Sequence, residues 1–184
     1  MKNLFLIIML ACATATLQAQ NEGNINKGTW MAGGSVAFST NSQSQGGTST
    51  TNTTFSVAPE AGYFISSKFA FTLAVNFFNN NFENGSSNSF ALQPGIRFYP
   101  YKDLFVAGAV GFGTSNSTVA NTTFKSNLFG YQAGAGYSIF LNKHVALEPT
   151  LIYTSTTISQ DTPTANSDLT AQGLTLGVGF RIFL

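Results

Sequence analysis

Apolar residues alternate with other residues in eight segments of the chain after residue 28. Strict alternation is typical of a β-strand whose two faces meet different environments. Because the segments share one length and follow one another without helical periods, the pattern predicts a single all-β domain. The eight apolar stripes cover 30–38, 55–63, 69–77, 90–98, 104–112, 129–137, 145–153 and 174–182.

The two faces of these strands differ in size as well as in polarity. The stripes carry the bulky side chains, whereas the positions between them are mostly Gly, Ala, Ser, Thr, Asn and Gln. Small side chains fit the narrow lumen that eight strands leave, and bulky apolar ones fit an exterior of lipid. The sequence therefore predicts an eight-stranded antiparallel up-and-down transmembrane β-barrel.

Aromatic residues collect at both ends of the stripes. Eight steps of about 3.3 Å, tilted by about 40°, cover roughly 20 Å, close to the apolar band of about 25 Å around an outer-membrane barrel. Rings at both membrane interfaces are typical of such barrels. We predict two girdles, one of Trp30, Tyr63, Phe69, Phe98 and Tyr137, and one of Phe38, Phe55, Phe77, Phe90, Phe112, Phe129 and Tyr153.

The connections alternate between short and long. Residues 65–68, 100–103 and 141–144 are short and carry lysines, which is typical of periplasmic turns. We expect the longer polar segments to be extracellular loops, namely 39–54, 79–89, 113–127 and 155–173.

Three prolines fall in the middle of strands. Pro59, Pro94 and Pro149 each lack the N–H that a strand donates to its neighbour. We expect bulges or distorted pairing at these positions.

The first residues have the features of an export signal. Lys2, an apolar stretch over 4–11 and small residues up to Ala19 predict a secretory signal peptide cleaved near Ala19. A lipoprotein signal at Cys12 is the less favoured alternative. The predicted division is a signal peptide over 1–19, a short periplasmic segment over 20–28 and a barrel domain over 29–184.

Composition limits the chemistry. Only 8% of residues are charged, and the net charge of +1 gives no electrostatic attraction to nucleic acid. One His and one Cys exclude a His/Cys metal cluster and an internal disulfide. His144 is interpreted as a solvated turn residue, and Asp161 and Asp168 as surface charges rather than a calcium site. We expect no enzymatic activity, no cofactor and no metal.

The eight predicted strand segments contain four charged residues. All four lie at the luminal positions between the apolar ones: Glu60, Arg97, Glu148 and Arg181. Unpaired buried charge is costly, so we expect Glu148 to pair with Arg181 on the neighbouring strand and Glu60 with Arg97 across the lumen. One interpretation is a polar plug that fixes the barrel interior. The other is a gate whose ion pairs switch to open a pore.

The chain resembles the small outer-membrane β-barrel family of Gram-negative bacteria, of the OmpA/OmpX-like eight-stranded type, over residues 28 to 184. The resemblance lies in GTWMAGGSVAFS, APEAGYF, PGIRFY and the closing LTLGVGFRIFL. It implies an outer-membrane location and no peptidoglycan-binding domain after residue 184. It also implies that Gly179, Ile182 and Leu184 form a C-terminal insertion signal, although the family prefers a terminal Phe.

Three functions of different classes remain open. The first is a structural or surface-interaction barrel whose loop partner the sequence does not identify. The second is a narrow porin-like channel for water or small ions, and the third is a lipid-modifying enzyme. We expect a monomer that contacts outer-membrane lipids, uses the barrel-assembly machinery during insertion and binds no nucleic acid.

Single cysteines test the predicted orientation. Asn84→Cys and Asn121→Cys should react with a membrane-impermeant thiol reagent on intact cells, because both lie in predicted extracellular segments. Ser67→Cys and Asn142→Cys should react only after the outer membrane is permeabilised. Labelling of the two turn variants on intact cells would contradict the orientation.

Overall fold

A computed structural model describes residues 25–45, 48–83, 85–119, 122–162 and 165–184. The predicted signal peptide and residues 20–24 lie outside these ranges. The described chain forms nine strand segments: β1 (Trp30–Gln45), β2 (Thr48–Ser66), β3 (Phe69–Phe82), β4 (Gly85–Tyr101), β5 (Leu104–Val119), β6 (Thr122–Tyr137), β7 (Ile139–Asn142), β8 (Val145–Thr162) and β9 (Ala165–Phe183).

The strands close into a barrel. Each pairs antiparallel with its neighbour, β1 pairs with β9, and β6 pairs with β8. β6 and β7 lie along the same edge of β8 and are two segments of one barrel strand, interrupted at Ser138. The predicted eight-stranded antiparallel barrel is therefore confirmed.

The prediction that 39–54, 79–89, 113–127 and 155–173 are loops is wrong, because the strands continue through most of each segment; their extracellular location stays a prediction. β1 runs past Phe38 to Gln45, and β8 runs past Tyr153 to Thr162. Polar residues lack an alternation signal, but a hairpin already paired in the membrane extends one residue pair at a time without a new loop-closure cost. Cross-strand hydroxyl contacts such as Thr157–Thr170, at 3.2 Å, support the extension.

We call these continuations the outer projection; it comprises 39–45, 48–54, 79–82, 85–89, 113–119, 122–128, 154–162 and 165–173. At about 3.3 Å per residue and a tilt of about 40°, the β8–β9 part rises roughly 20 Å beyond the aromatic girdle.

The mid-strand prolines interrupt pairing on one side only. Opposite Pro59 the β2–β3 ladder skips from Val57↔Phe77 to Glu60↔Ala74 without a shift of register. Equivalent gaps occur in the β4–β5 ladder at Pro94 and on the β6/β7 side of Pro149. The expected distortion is thus present, but the predicted bulges are absent from the described ladders at these prolines. A residue in an antiparallel strand directs its N–H and C=O to the same neighbour, so only that neighbour loses a bond.

The pairing between β1 and β9 is short. Among the described residues it extends only from Met31↔Phe183 to Gly34↔Phe180, with Trp30 and Leu184 exchanging backbone hydrogen bonds below it. Above Gly34 and Phe180 the two strands diverge while each stays paired on its other side. We call this divergence the fork.

A lysine on the outer face should destabilise the barrel in lipid. Leu73 lies on an outward stripe, so Leu73→Lys should lower the free energy of unfolding from lipid vesicles by about 2–4 kcal/mol. Thr72→Ser, a conservative change at the adjacent luminal position, is the control. Equal stability of the two variants in urea titrations would show that position 73 does not face lipid.

Candidate functional site

The four luminal charges form one cluster. The predicted partners Glu148 and Arg181 lie 3.2 Å apart, and Glu60 and Arg97 lie 3.8 Å apart. Two further contacts cross between these pairs: Arg97 to Glu148 at 2.8 Å and Arg181 to Glu60 at 3.0 Å. Strands β2, β4, β8 and β9 each contribute one residue, so the cluster ties opposite walls of the barrel together.

Glu148 is the centre of the cluster. Its carboxylate accepts hydrogen bonds from Arg97 Nη1 at 2.8 and 2.9 Å, from Arg181 Nε at 3.2 Å and from Ser138 Oγ at 2.9 Å. Its side chain is only 1% exposed. Sequence reasoning missed Ser138, which lies at the interruption between β6 and β7 and is fully buried. A carboxylate so enclosed by donors is held in its charged form.

Glu60 is held much less firmly. Its side chain is 23% exposed, and it meets the two guanidinium groups at 3.0 and 3.8 Å. Among the described residues, Arg181 Nη1 and Arg97 Nε have no hydrogen-bond partner. The cluster therefore has one tightly bound carboxylate and one loosely bound carboxylate.

An aromatic plug fills the lumen below the cluster. Tyr99 accepts a hydrogen bond from Arg97 Nη1 at 3.3 Å, and the Arg97 guanidinium lies 4.0 Å from the ring centroid of Phe105. Sequence reasoning missed this plug. Its signal is the break in alternation at the strand ends next to the tight turns, where apolar doublets such as Tyr63-Phe64 and Ile182-Phe183 fill both faces. The plug consists of Met31, Phe64, Ala70, Tyr99, Phe105, Phe140, Ala146 and Phe183, all buried.

A polar cavity lies above the cluster. Its volume is about 320 Å³. Asn76 Nδ2 donates to Gln93 Oε1 on the adjacent strand at 2.8 Å. Between small residues, its wall carries uncharged donors and acceptors above the ion pairs: Thr72, Asn76, Gln93, Gln132, Thr150 and Thr175.

The end of the barrel with the tight turns holds the remaining candidate groups. His144 is exposed in the turn after β7, with Nδ1 2.8 Å from the carbonyl oxygen of Phe183. Burial raises the pKa of the Asp103 carboxyl above its ordinary value, although Tyr137 donates a hydrogen bond to it at 3.5 Å. No three His, Cys, Asp or Glu side chains of the described residues converge where they could hold a metal ion. No helix in this part of the chain is long and apolar enough to cross a membrane.

The predicted girdle residues lie on the outer surface of the barrel. Trp30 and Tyr63 stack with centroids 5.0 Å apart, and Phe77 and Phe90 with centroids 5.1 Å apart. All of them are exposed except Phe69, which is half-buried against Phe98.

The predicted insertion-signal residues end β9. Ile182 pairs with Ala32 and Val145, and Leu184 exchanges backbone hydrogen bonds with Trp30. They therefore lie at the junction where the first and last strands close the barrel.

Comparison with known proteins gives one family and several similar folds. The model of the family described as "Outer membrane protein beta-barrel domain" matches residues 5–181. No curated protein matches the sequence. OprG from Pseudomonas aeruginosa, an outer membrane protein, is 13% identical with a TM-score of 0.50, over 90% of this chain and 99% of OprG, which supports the fold.

Two further solved structures are similar at lower TM-scores. The translocator domain of the autotransporter NalP from Neisseria meningitidis is 13% identical, with a TM-score of 0.46, over 96% of this chain and 68% of that one. The outer membrane protein AlkL, solved in DMPC lipid bilayers, is 16% identical, with a TM-score of 0.47, over 86% of this chain and 92% of AlkL.

Removing the two carboxylates should have unequal effects. Glu148→Gln leaves two buried guanidinium groups without their main partner and should cost about 3–5 kcal/mol of unfolding free energy. Glu60→Gln should cost clearly less, because Glu60 is partly solvated. Urea titrations of the refolded barrels measure both, and equal losses would contradict the central role of Glu148.

Proposed function

We propose that this chain, which belongs to the outer membrane protein β-barrel domain family, is a non-conducting barrel of the outer membrane that presents its outer projection as an interaction surface. The observation that carries the proposal is the blocked lumen. The charge cluster and the aromatic plug fill it in two successive layers, while the strands extend well beyond the membrane. The filled lumen therefore stabilises the barrel, and the outer projection provides the interaction surface.

The closed lumen has a physical basis. Arg97, Glu148 and Arg181 are buried, and Glu148 satisfies its acceptors through four hydrogen bonds. Opening a pore through this layer would separate buried opposite charges, which is strongly unfavourable unless new partners replace the lost ones. The plug below adds a second barrier, because its apolar side chains would have to leave their contacts for water.

The outer projection has the composition of a recognition surface. It is rich in Ser, Thr, Asn and Gln, and only four residues in and around it are charged: Glu83, Lys125, Asp161 and Asp168. Paired strands fix the backbone spacing of this segment, which lowers the entropy lost on binding compared with a flexible loop. Binding by hydrogen bonds rather than by charge should depend little on salt.

Export and assembly belong to the same proposal. Residues 1–19 act as a cleaved signal peptide, and Gly179, Ile182 and Leu184 at the end of β9 act as the signal for the barrel-assembly machinery. The barrel then works as a monomer, without enzymatic activity, and orients its tight turns toward the periplasm.

Conductance measurements test the closed lumen. Wild-type protein in planar bilayers should show no discrete current steps above the leak of the bare bilayer. Glu60→Gln should behave in the same way, because the Glu148 contacts and the plug remain. Reproducible current steps in the wild type would favour the alternative, a narrow channel for water or small ions.

Shortened hairpins test the surface role. The register allows residues 41–52 to be replaced by Asn-Gly between Thr40 and Thr53, and residues 158–169 by Asn-Gly between Thr157 and Thr170. Panels of immobilised glycans and matrix proteins should retain the intact barrel and lose the shortened one, although both resist unfolding in urea. Equal retention of the two barrels would contradict the proposal.

A further inference from the structure

The fork between β1 and β9 opens the barrel wall at mid-membrane depth. Pairing stops at Gly34↔Phe180, which is the middle of the apolar stripe on β1 but lies six residues below Leu174, the upper end of the stripe on β9. The outward residues beside the fork are 70–72% exposed at Val36, Leu176 and Val178, against 49% for Leu73 on a fully paired wall. The missing neighbour strand accounts for this difference.

The cavity above the charge cluster reaches the fork from inside. Its wall includes Gly34 and Ser35 on β1 and Gly177, Val178 and Gly179 on β9. Unpaired strand edges in hydrocarbon are tolerated where they line a water-filled cavity. Residues of both edges of the fork line this cavity, and most of them are small: Gly34, Ser35, Gly177 and Gly179.

The charge cluster lies at the base of this opening. Arg181 pairs with Gly33, one residue pair below the fork. A Cβ on Gly33 would lie 3.0 Å from Arg181 Cδ, so the arginine side chain crosses β1 where only glycine leaves room. Arg97 and Arg181 are 4% and 7% exposed, and both line the cavity.

The donors beside the cavity are incompletely used. Within the described part of the chain, Arg97 Nε has no hydrogen-bond partner, and Arg181 Nη1 has only its ion pair with the partly exposed Glu60, at 3.0 Å. Buried guanidinium donors without acceptors are costly, so an acceptor that reaches them gains a charge-assisted bond. Because the plug blocks the way to the periplasm, that acceptor arrives from above or through the fork.

We propose that the fork is a binding site for a single-chain carboxylate amphiphile of the fatty-acid type. Its carboxylate takes the Glu60 side of the cluster, against Arg181 Nη1 and Arg97 Nε. Its chain passes between Gly34 and Ser35 on one edge and Gly177 and Gly179 on the other, into the outer half of the bilayer. Glu60 competes with the ligand headgroup and swings toward the polar cavity when the ligand binds.

This assignment explains why the two carboxylates differ. Glu148 holds both arginines in place from below, while Glu60 occupies the acceptor position until a ligand replaces it. A purely structural cluster gains nothing from a partly exposed carboxylate beside a buried donor, Arg97 Nε, that has no partner. The fork is separate from the outer projection. A failure to bind the amphiphile would therefore not contradict the proposed surface role.

Radiolabelled dodecanoate and wild-type protein in nanodiscs of zwitterionic lipid test the site, with dodecanol and acetate as the matched probes. Dodecanoate should bind at one molecule per barrel, about tenfold or more tighter than dodecanol, because a charge-assisted bond contributes about 1.5–3 kcal/mol. Acetate, which has no chain to enter the membrane, should not bind measurably. Equal binding of dodecanoate and dodecanol, tight binding of acetate, or no binding of dodecanoate would overturn the proposal.

Variants separate the site from general effects on the fold. Arg181→Met should weaken dodecanoate binding about tenfold or more, and Glu60→Gln should tighten it several-fold by removing the competing carboxylate. A structural role alone predicts no gain in Glu60→Gln, so unchanged or weaker binding there would count against the proposal even if Arg181→Met failed to fold.

A matched pair of glycine variants tests the route through the wall. Gly177→Leu narrows the cavity at the fork, and a Cβ there meets Thr150 Oγ1 at an ordinary 3.7 Å. Gly173→Leu has similar room, 3.9 Å from Thr154 Oγ1, but lies higher on the same strand. Gly177→Leu should abolish dodecanoate binding and Gly173→Leu should leave it intact; binding retained by Gly177→Leu would exclude this route.

Fluorescence quenching locates the bound chain. In a Trp30→Phe background, ω-brominated dodecanoate should quench a tryptophan placed by Val178→Trp at the fork more strongly than one placed by Val110→Trp on β5, on the far wall. Partition into the surrounding amphiphile alone would quench both equally. Equal quenching would show that the chain does not pass through the fork.

Discussion

In hydrocarbon, a backbone N–H or C=O of one strand has no partner except another strand or enclosed water. That constraint determines the form of this protein. It requires the sheet to close on itself, so β6 and β7 together complete the ring along β8. It limits each mid-strand proline to a gap on one side, because the opposite ladder stays intact. The fork above Gly34 is the one described junction where two neighbouring strands leave most of their length unpaired.

The lumen is organised in layers that support this wall. The aromatic plug excludes water at the end with the tight turns, which strengthens the electrostatic attraction in the charge layer directly above it. The charge layer in turn connects four strands that are not all neighbours. Above it the side chains become small or uncharged, and the interior opens to the polar cavity. Each layer thus depends on the one beneath it, and Tyr99 and Ser138 bridge two of them.

The sequence predicts the parts of this structure that alternation controls. Stripes such as Trp30–Phe38 place their strands correctly, because a shift of one residue would turn every apolar side chain into the lumen. The same logic places Glu60, Arg97, Glu148 and Arg181 inside, and it leads to the expected Glu148–Arg181 and Glu60–Arg97 contacts. The structure brings all four residues into one cluster, whose two additional contacts depend on barrel shear and closure, which pairwise reasoning does not capture.

Alternation does not predict the remaining features. The outer projection carries no hydrophobic signal, so Ser, Thr and Asn residues that extend a ladder are indistinguishable from loop residues. The plug arises where alternation fails, at doublets such as Phe98-Tyr99. Ser138 reaches Glu148 only because the strand is interrupted there. The fork depends on the relative paths of the first and last strands, a property of the closed barrel rather than of any segment.

The unequal hairpins give the molecule a sloping rim. β3 and β4 end at Phe82 and Gly85, shortly above the girdle, whereas β8 and β9 continue to Thr162 and Ala165. A large particle that approaches from outside therefore touches the β8–β9 wall first and reaches the β3–β4 side only after it tilts. The rim of the barrel therefore has a high side at β8–β9 and a low side at β3–β4. Neighbouring copies that are rotated differently in the membrane would present rims of different height to the same particle.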